Sequence, residues 1–252
     1  MPRVRVISFD LWDTVFVDDS DEPKRRAQGL ASKPVARREL AHCYLSRHAP
    51  IERALVDCAY DTADAAFREV WHNQHFTWTV AVRLGVLLKG LKRELPAPEF
   101  AELVRLHEDM ELVVRPDLVP GVADAVRTLA AKYKLVVISD AIFSPGRALR
   151  ELLAGYGLLD AFSAFVFSDE AGCSKPDPAA FEKAAELAGC RVDEIVHAGD
   201  REHNDIAGPK RVGARSVLVT AAIDRGSANT AADAVCRDYR ELPAIIESLD
   251  TN

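Results

Sequence analysis

The sequence predicts an α/β fold, in which a doubly wound, parallel, Rossmann-like sheet forms a core that carries an inserted all-helical cap. An apolar run near the N-terminus reads as the first strand of this sheet. From residue 119 onward, short apolar runs alternate with segments of helical periodicity, the pattern of a parallel sheet with helices on both faces. Between these regions, the apolar residues of 34–107 recur at helical spacing. With 252 residues, 48% of them hydrophobic, the chain is large enough for a sheet domain with an insertion.

The N-terminal elements follow from this reading of the chain. Residues 4–16 (VRVISFDLWDTVF) contain the first strand. The polar segment VDDSDEPKRRAQGLASKP after it is predicted to be a loop. The block 34–107 is predicted to hold four helices and no strand, with breaks near Pro50, at His75–Thr77 and at Pro96–Pro98.

Helices and strands are predicted to alternate through the C-terminal half. The strands are short apolar runs such as LVVIS, as expected when both faces of a sheet are buried. This organisation gives a discontinuous core, residues 1–16 and 117–252, and a helical cap, residues 17–116. The predicted helices are 122–133, 145–156, 178–188, 205–212 and 242–249, and the predicted strands are 135–138, 164–167, 195–197 and 216–219.

The charge of the chain limits its partners. A formal net charge of −7 argues against nucleic acid or an anionic membrane as the main partner. The basic groups Lys24–Arg26 and Arg37–Arg38 are short and diluted by acidic neighbours, so they are predicted to be solvated surface. Neither nucleic acid nor an anionic membrane is therefore expected as the main partner, and the sequence does not predict an oligomeric state.

The cysteines and the N-terminus favour a cytoplasmic protein. The five cysteines are odd in number, widely spaced and without a CxxC pair, which indicates reduced thiols rather than disulfides or a zinc site. The chain runs directly into its first strand without an apolar leader. No apolar stretch approaches the roughly 20 residues that a membrane-spanning helix needs.

Polar side chains stand where predicted strands end. Ligands of open α/β sheets bind beyond the carboxyl ends of the strands, so these residues are candidates for a functional site. A carboxylate among them is an effective nucleophile only when it is positioned and the charge of its substrate is neutralised. The candidates are Asp10 and Thr14 after the first strand, Ser139 and Asp140 after the second, Lys175 in GCSKPDPAAF, and Asp200, Asn204 and Asp205 in GDREHND.

This arrangement resembles the haloacid dehalogenase superfamily. Members of that family have a nucleophilic aspartate in the pattern Asp-x-Asp-x-Thr, followed along the chain by a serine or threonine, a lysine and an acidic pair. Asp10 and Thr14 match the first motif, Ser139 the second, Lys175 the third and the segment GDREHND the fourth. The resemblance covers the whole chain, and it implies a hydrolase with a helical cap inserted after the first motif.

The resemblance implies a catalytic and phosphate-binding group of residues. Asp10 would be the nucleophile, and Lys175 would assist catalysis. Thr14, Ser139, Asp140 and Lys175 would surround the phosphate, although Asp140 stands where the family often has asparagine. Stabilisation of phosphoryl charge by such donors is most of what phosphoryl transfer requires of a protein.

The resemblance also implies a Mg²⁺ site. Mg²⁺ favours octahedral coordination by oxygen with few protein ligands. Asp10, the backbone carbonyl of Trp12 and Asp200 would supply protein oxygens. Asp205 would act through a metal-bound water or by holding Lys175.

Trp12 is the departure from the family pattern. It replaces the second aspartate of the first motif, which is the general acid/base in the phosphatases of the family. An indole N–H donates a hydrogen bond but cannot shuttle a proton, and general acid–base help is worth about 10²–10⁴ in rate. Asp13 and His203 are possible substitutes, and the acidic stretch Asp18–Asp21 is another.

Two further interpretations remain open. Haloacid dehalogenases and phosphonatases of the superfamily also lack this aspartate; the acidic pair argues against the former, and Lys89 and Lys92 read as solvated rather than as a Schiff-base lysine. Alternatively, the chain binds a phosphorylated ligand with little or no turnover. The preferred interpretation is Mg²⁺-dependent phosphoryl transfer from a small phosphorylated metabolite, through an aspartyl-phosphate on Asp10, to water.

Overall fold

A computed structural model describes residues 3–251, with side chains described for residues 3–250. Six parallel strands form one sheet in the order β3–β2–β1–β4–β5–β6. The order reverses at β1, so the carboxyl ends of β1 and its neighbours border the crevice where such sheets bind ligands. The strands are β1 Val6–Phe9, β2 Lys134–Ser139, β3 Ala164–Phe167, β4 Ile195–Gly199, β5 Arg215–Val219 and β6 Ala234–Cys236.

Six of the helices between β1 and β2 in the chain, all of them before residue 114, are called the inserted helices here. They are α1 Asp21–Ala27, α2 Lys33–Ser46, α3 Arg53–Gln74, α4 Val80–Gly90, α5 Ala97–Glu108 and α6 Met110–Val113. The four helices predicted for residues 34–107 are confirmed as α2 to α5. These helices share an apolar core of their own, which includes Tyr44, Leu84, Leu87 and Leu103.

The prediction of a loop after the first strand is wrong where α1 forms. The acidic first turn of α1 and its basic last turn both suit the helix dipole. Asp21 is fully buried, and Lys33 Nζ donates a hydrogen bond to its Oδ1 at 2.7 Å. A polar segment therefore forms a helix here because its charged side chains find partners inside the protein.

Helices cover both faces of the sheet, and the predicted doubly wound α/β fold is confirmed. On one face, Phe181 packs in a cluster with Val6 and Val136; on the other, Val126 and Ile246 belong to a second cluster. The helices that follow β2 or precede it directly are α7 Val122–Ala130, α8 Gly146–Gly155, α9 Ser168–Ala171, α10 Pro178–Ala188, α11 Gly208–Arg211 and α12 Leu242–Thr251.

Two predicted details of the C-terminal half differ from the structure. The helix predicted at 205–212 is instead a wide π-helical turn, Glu202–Ala207, followed by α11. This turn brings the Asp205 side chain against β4, where a Cβ added to Gly199 would lie 2.4 Å from Asp205 Cγ. Strand β6 was not predicted, because its three residues are too few to show a period. The other predicted helices and strands overlap the observed elements.

Two of the basic residues that were predicted to be solvated, Arg25 and Arg37, are buried instead. Arg25 and Arg37 are each 5% exposed. Arg25 Nε donates to the carbonyl of Ala31 at 3.1 Å, and the guanidinium of Arg37 stacks on Phe143 with its Cζ 3.5 Å from the ring centroid. These two arginines belong to the interior of the inserted region.

Two properties of the described chain bear on its surroundings. No helix within residues 3–251 combines the length and apolar character needed to cross a membrane. All five cysteines are free thiols, as the sequence predicted.

Candidate active site

A buried lysine joins two of the predicted site residues. Lys175 Nζ donates hydrogen bonds to Oδ1 of Asp10 at 2.7 Å and to Oδ1 of Asp205 at 2.6 Å. Burial opposes the charge of Lys175, but the carboxylates of Asp10 and Asp205 outweigh it and raise the pKa of the ammonium above its ordinary range. Burial likewise opposes the charge of Asp205, yet the ammonium lowers the pKa of that carboxyl below its usual range. Lys175 and Asp205 are therefore both charged at neutral pH.

Asp205 has a second support inside the sheet. His197 of β4 and Ser8 of β1 are register partners, with Ser8 Oγ 2.8 Å from His197 Nδ1 and His197 Nε2 3.2 Å from Asp205 Oδ1. Burial lowers the pKa of His197, so the neutral ring accepts from Ser8 and donates to Asp205. Neither residue was identified from the sequence, although a polar residue inside each of two buried strands was a usable signal.

Three carboxylates form a candidate metal centre. Oxygen atoms of Asp10, Asp200 and Asp205 all lie within 4.8 Å of one another. Burial, together with repulsion from Asp10 and Asp205, raises the pKa of Asp200 to about 7. Oδ1 of Asp200 is buried without a hydrogen-bond partner among the described residues. A divalent cation would relieve the repulsion and satisfy this oxygen, so the donor set fits Mg²⁺.

The predicted phosphate-binding residues lie at the same edge of the sheet. The hydroxyl oxygens of Thr14 and Ser139 are buried and lack hydrogen-bond partners within residues 3–251, although neither residue lines the cavity that Asp10 faces. Asp140 instead fixes the protein: its Oδ1 accepts from the Lys175 backbone N–H at 3.0 Å, and its Oδ2 from Asn204 Nδ2 at 3.3 Å. Burial raises the pKa of Asp140 to about 7.

The two residues predicted as substitute acids lie in different surroundings. Asp13 Oδ1 accepts from the Asp18 backbone N–H at 3.0 Å, and its Oδ2 accepts from Arg225 Nη2 at 2.5 Å. Arg225 Nε also donates to Asp200 Oδ2 at 2.6 Å, so this arginine bridges two carboxylates. His203 is exposed and does not line the cavity that Asp10 faces. No signal in the sequence singled out Arg225.

A cavity of about 390 Å³ lies between the strand ends and the inserted region. Its volume is in the range of small-molecule sites. Asp10, Lys175 and Asp205 line it from the strand ends. The inserted region contributes four large polar or aromatic side chains, those of Lys33, Arg37, Trp71 and Glu111.

Trp12 lines the same cavity as the nucleophile candidate Asp10. Its ring centroid lies 5.9 Å from that of Phe16 at an interplanar angle of 53°. Asp18 also lines the cavity, and partial burial with repulsion from Asp19 raises the pKa of its carboxyl. The position that the family pattern assigns to an acid is therefore occupied by a half-buried indole, with another acid nearby on the cavity wall.

The chain belongs to the haloacid dehalogenase-like hydrolases, because the model of that family matches residues 4–213. The resemblance identified from the motifs is thus confirmed.

Individual relatives agree with this assignment. The chain is 26% identical to human haloacid dehalogenase-like hydrolase domain-containing protein 3, over 98% of this chain and 91% of that protein. It is 29% identical to the glyceraldehyde 3-phosphate phosphatase of Pyrococcus furiosus, over 86% of this chain and 81% of that protein. A 2-haloacid dehalogenase from Pseudomonas syringae pv. tomato DC3000 shares the fold, with a TM-score of 0.65, 20% identity, and coverage of 98% of this chain and 99% of that one.

Removal of Lys175 should destabilise the protein most at neutral pH. Lys175→Met leaves Asp10 and Asp205 buried without their cation, a change that typically costs about 3–5 kcal/mol of unfolding free energy. The lowered pKa of Asp205 contributes stability above the unfolded pKa of an aspartate, and this contribution is lost as pH falls through the folded value. Urea unfolding at about pH 7 and about pH 4 should therefore show the larger loss at the higher pH.

Lys132→Met is the matched control for this experiment. Lys132 pairs with Glu247 at the surface, where both side chains are more than half exposed. We expect little change in stability at either pH. An equal loss at both pH values for Lys175→Met would contradict the prediction.

Proposed function

We propose that this chain is a Mg²⁺-dependent phosphatase that transfers a phosphoryl group from a small phosphorylated metabolite to Asp10 and then to water. We also propose that residues 17–116 act as its cap and that it works in the cytoplasm. The proposal rests chiefly on the buried ion pair between Asp10 and Lys175, beside the unpaired hydroxyls of Thr14 and Ser139. A positioned carboxylate, a fixed cation and free donors are the groups that phosphoryl transfer needs.

The proposed reaction has two steps. A carboxylate oxygen of Asp10 attacks phosphorus, the bond from phosphorus to the leaving oxygen breaks, and an aspartyl-phosphate and an alkoxide result. Water then attacks phosphorus and the bond from phosphorus to the Asp10 oxygen breaks, which releases phosphate and restores the carboxylate. A proton given up by this water replaces the one that the alkoxide takes up to become the alcohol. In both steps the Lys175 ammonium and the hydroxyls of Thr14 and Ser139 would hold the phosphoryl oxygens.

The metal would be held by Asp10 and Asp200, with the backbone carbonyl of Trp12 as a further oxygen. When bound, Mg²⁺ neutralises phosphoryl charge and orients the transferring group. Asp205 would hold Lys175, to which it is already hydrogen-bonded. The replacement of a side chain at position 12 leaves the carbonyl of that residue in place.

Phosphate release across a panel of small phosphorylated metabolites, with and without Mg²⁺, tests the proposed function. We expect Mg²⁺-dependent turnover that Asp10→Asn abolishes, because an amide cannot act as the nucleophile. No turnover, with phosphorylated ligands still bound, would favour a non-catalytic binder. Halide release from 2-chloropropionate or cleavage of a phosphonate would instead favour the dehalogenase or phosphonatase reaction.

Arg225 should orient Asp200 for the metal. It holds Asp200 Oδ2 and Asp13 Oδ2 with different nitrogens of one guanidinium, which leaves Asp200 Oδ1 for a cation. Arg225→Lys keeps the positive charge but loses the planar fork. We therefore expect Mg²⁺ affinity, measured by isothermal titration calorimetry, to fall about tenfold or more, as for other groups that orient metal ligands.

Arg201→Lys is the matched control for Arg225→Lys. Arg201 Nε lies 3.9 Å from Asp200 Oδ2, and its side chain is 45% exposed, so it does not fix the carboxylate. Its substitution should leave Mg²⁺ affinity nearly unchanged. Unchanged or tighter Mg²⁺ binding in Arg225→Lys would show that Arg225 does not orient the ligand.

We propose Asp18 as the proton donor that replaces the missing acid, because it lines the cavity and its carboxyl pKa is raised. Asp18→Asn should lower kcat by about 10²–10⁴ while Mg²⁺ affinity is retained. His203→Ala should leave the pH profile of turnover unchanged, since His203 does not line the cavity. A loss of turnover in His203→Ala but not in Asp18→Asn would assign the proton donor to His203 instead.

A further inference from the structure

We infer that the leaving group of the substrate carries a carboxylate, which Arg37 and Trp71 bind at the wall of the cavity formed by the inserted helices. The inference rests on the proposed function and narrows its substrate class to phosphate esters of hydroxy acids. It starts from two buried N–H groups that belong to side chains lining the same cavity as Asp10 and have no acceptor within residues 3–251.

Arg37 is the first of these donors. Its side chain is 6% exposed, and its Nε is buried without a hydrogen-bond acceptor. The ion pair that it forms is with Glu111, whose Oε1 lies 3.3 Å from Arg37 Nη2 and 3.4 Å from Lys33 Nζ. Two cations therefore share one carboxylate oxygen, and the guanidinium keeps a free N–H donor for an acceptor.

Trp71 is the second donor. Its indole stacks on Phe67 with ring centroids 6.2 Å apart and an interplanar angle of 8°. The stack fixes the ring while Nε1 stays buried without an acceptor. Burying an N–H away from water without an acceptor costs free energy, so binding of a ligand that supplies an acceptor is favoured.

The Glu111 carboxylate on this wall is already engaged. Glu111 Oε1 serves the two cations, and Glu111 Oε2 accepts from Ser144 Oγ at 2.7 Å. Lys33 is held by Asp21 at 2.7 Å and by Asp19 at 3.1 Å. The wall thus presents two free N–H donors, one of them on a guanidinium, beside a carboxylate that is already engaged, which suits an acceptor such as a carboxylate.

Binding to the Asp10→Asn protein in the presence of Mg²⁺ tests the inference without turnover. The probes are 3-phosphoglycerate and glycerol 3-phosphate, which differ by a carboxylate in place of a hydroxymethyl group. Calorimetry should show 3-phosphoglycerate bound about tenfold or more tightly than glycerol 3-phosphate. Trp71→Phe, which keeps the stack but removes the N–H, should reduce this preference several-fold without weakening glycerol 3-phosphate.

Trp78→Phe is the matched control, because Trp78 also packs against Phe67 but does not line the cavity. It should leave the preference unchanged. Arg37→Gln should abolish the preference, and Trp71→Phe keeps the test decisive if that variant fails to fold. Equal affinity for the two probes, or equal weakening of both by Trp71→Phe, would overturn the inference. If Asp10→Asn prefers 3-phosphoglycerate while the unsubstituted protein releases no phosphate from any metabolite of the panel, the carboxylate site is supported and the hydrolytic function is rejected.

Discussion

The buried ammonium of Lys175 is the interaction on which the site depends. Carboxylates of Asp10, Asp200 and Asp205 lie within 4.8 Å of one another, and groups so close in a dry interior do not all stay ionised unaided. Lys175 contacts two of the three directly. Its own position is fixed from the backbone side, where its N–H donates to Asp140. The strand ends therefore assemble around one cation, and the sheet topology serves to bring its partners to one edge.

The residues around this cation were predictable because they follow strand ends. Parallel strands bring their carboxyl ends together, so the sequence alone was enough to group Asp10, Lys175 and Asp205. Arg225 and Arg37 could not be grouped with Asp13 and Glu111, because no motif or predicted strand end marks either arginine. From the sequence, a charged residue in a polar segment is predicted to be solvated, because only the tertiary structure shows which counter-ion it pairs with.

The same limit explains the errors in the fold. The strand and helix pattern of the core was readable because buried strands are continuous apolar runs, such as the one in β2. Helix α1 was missed because Asp21 is buried through its pairing with Lys33, a contact between two elements that no local pattern encodes. The wide turn after β4 likewise depends on the Asp205 carboxylate, which accepts from the Arg201 backbone N–H at 2.9 Å. Local periodicity finds apolar burial, whereas buried charge pairs require the tertiary structure.

In related phosphatases a single aspartate both supplies a proton and lines the site, whereas Trp12 only lines the site. The indole, packed near Phe16, gives the cavity an apolar wall, and a drier site strengthens the field of Lys175 on a phosphoryl group. It supplies no proton. Among the acids of the strand ends, Asp10 and Asp205 are bound to the Lys175 side chain and Asp140 to its backbone. Asp13 and Asp200 are bound to Arg225. In the proposed mechanism the proton must therefore come from outside the strand ends. Its source then lies in the segment that leads into the inserted helices. Protonation of the leaving group is thereby coupled to the part of the cavity that contacts that group.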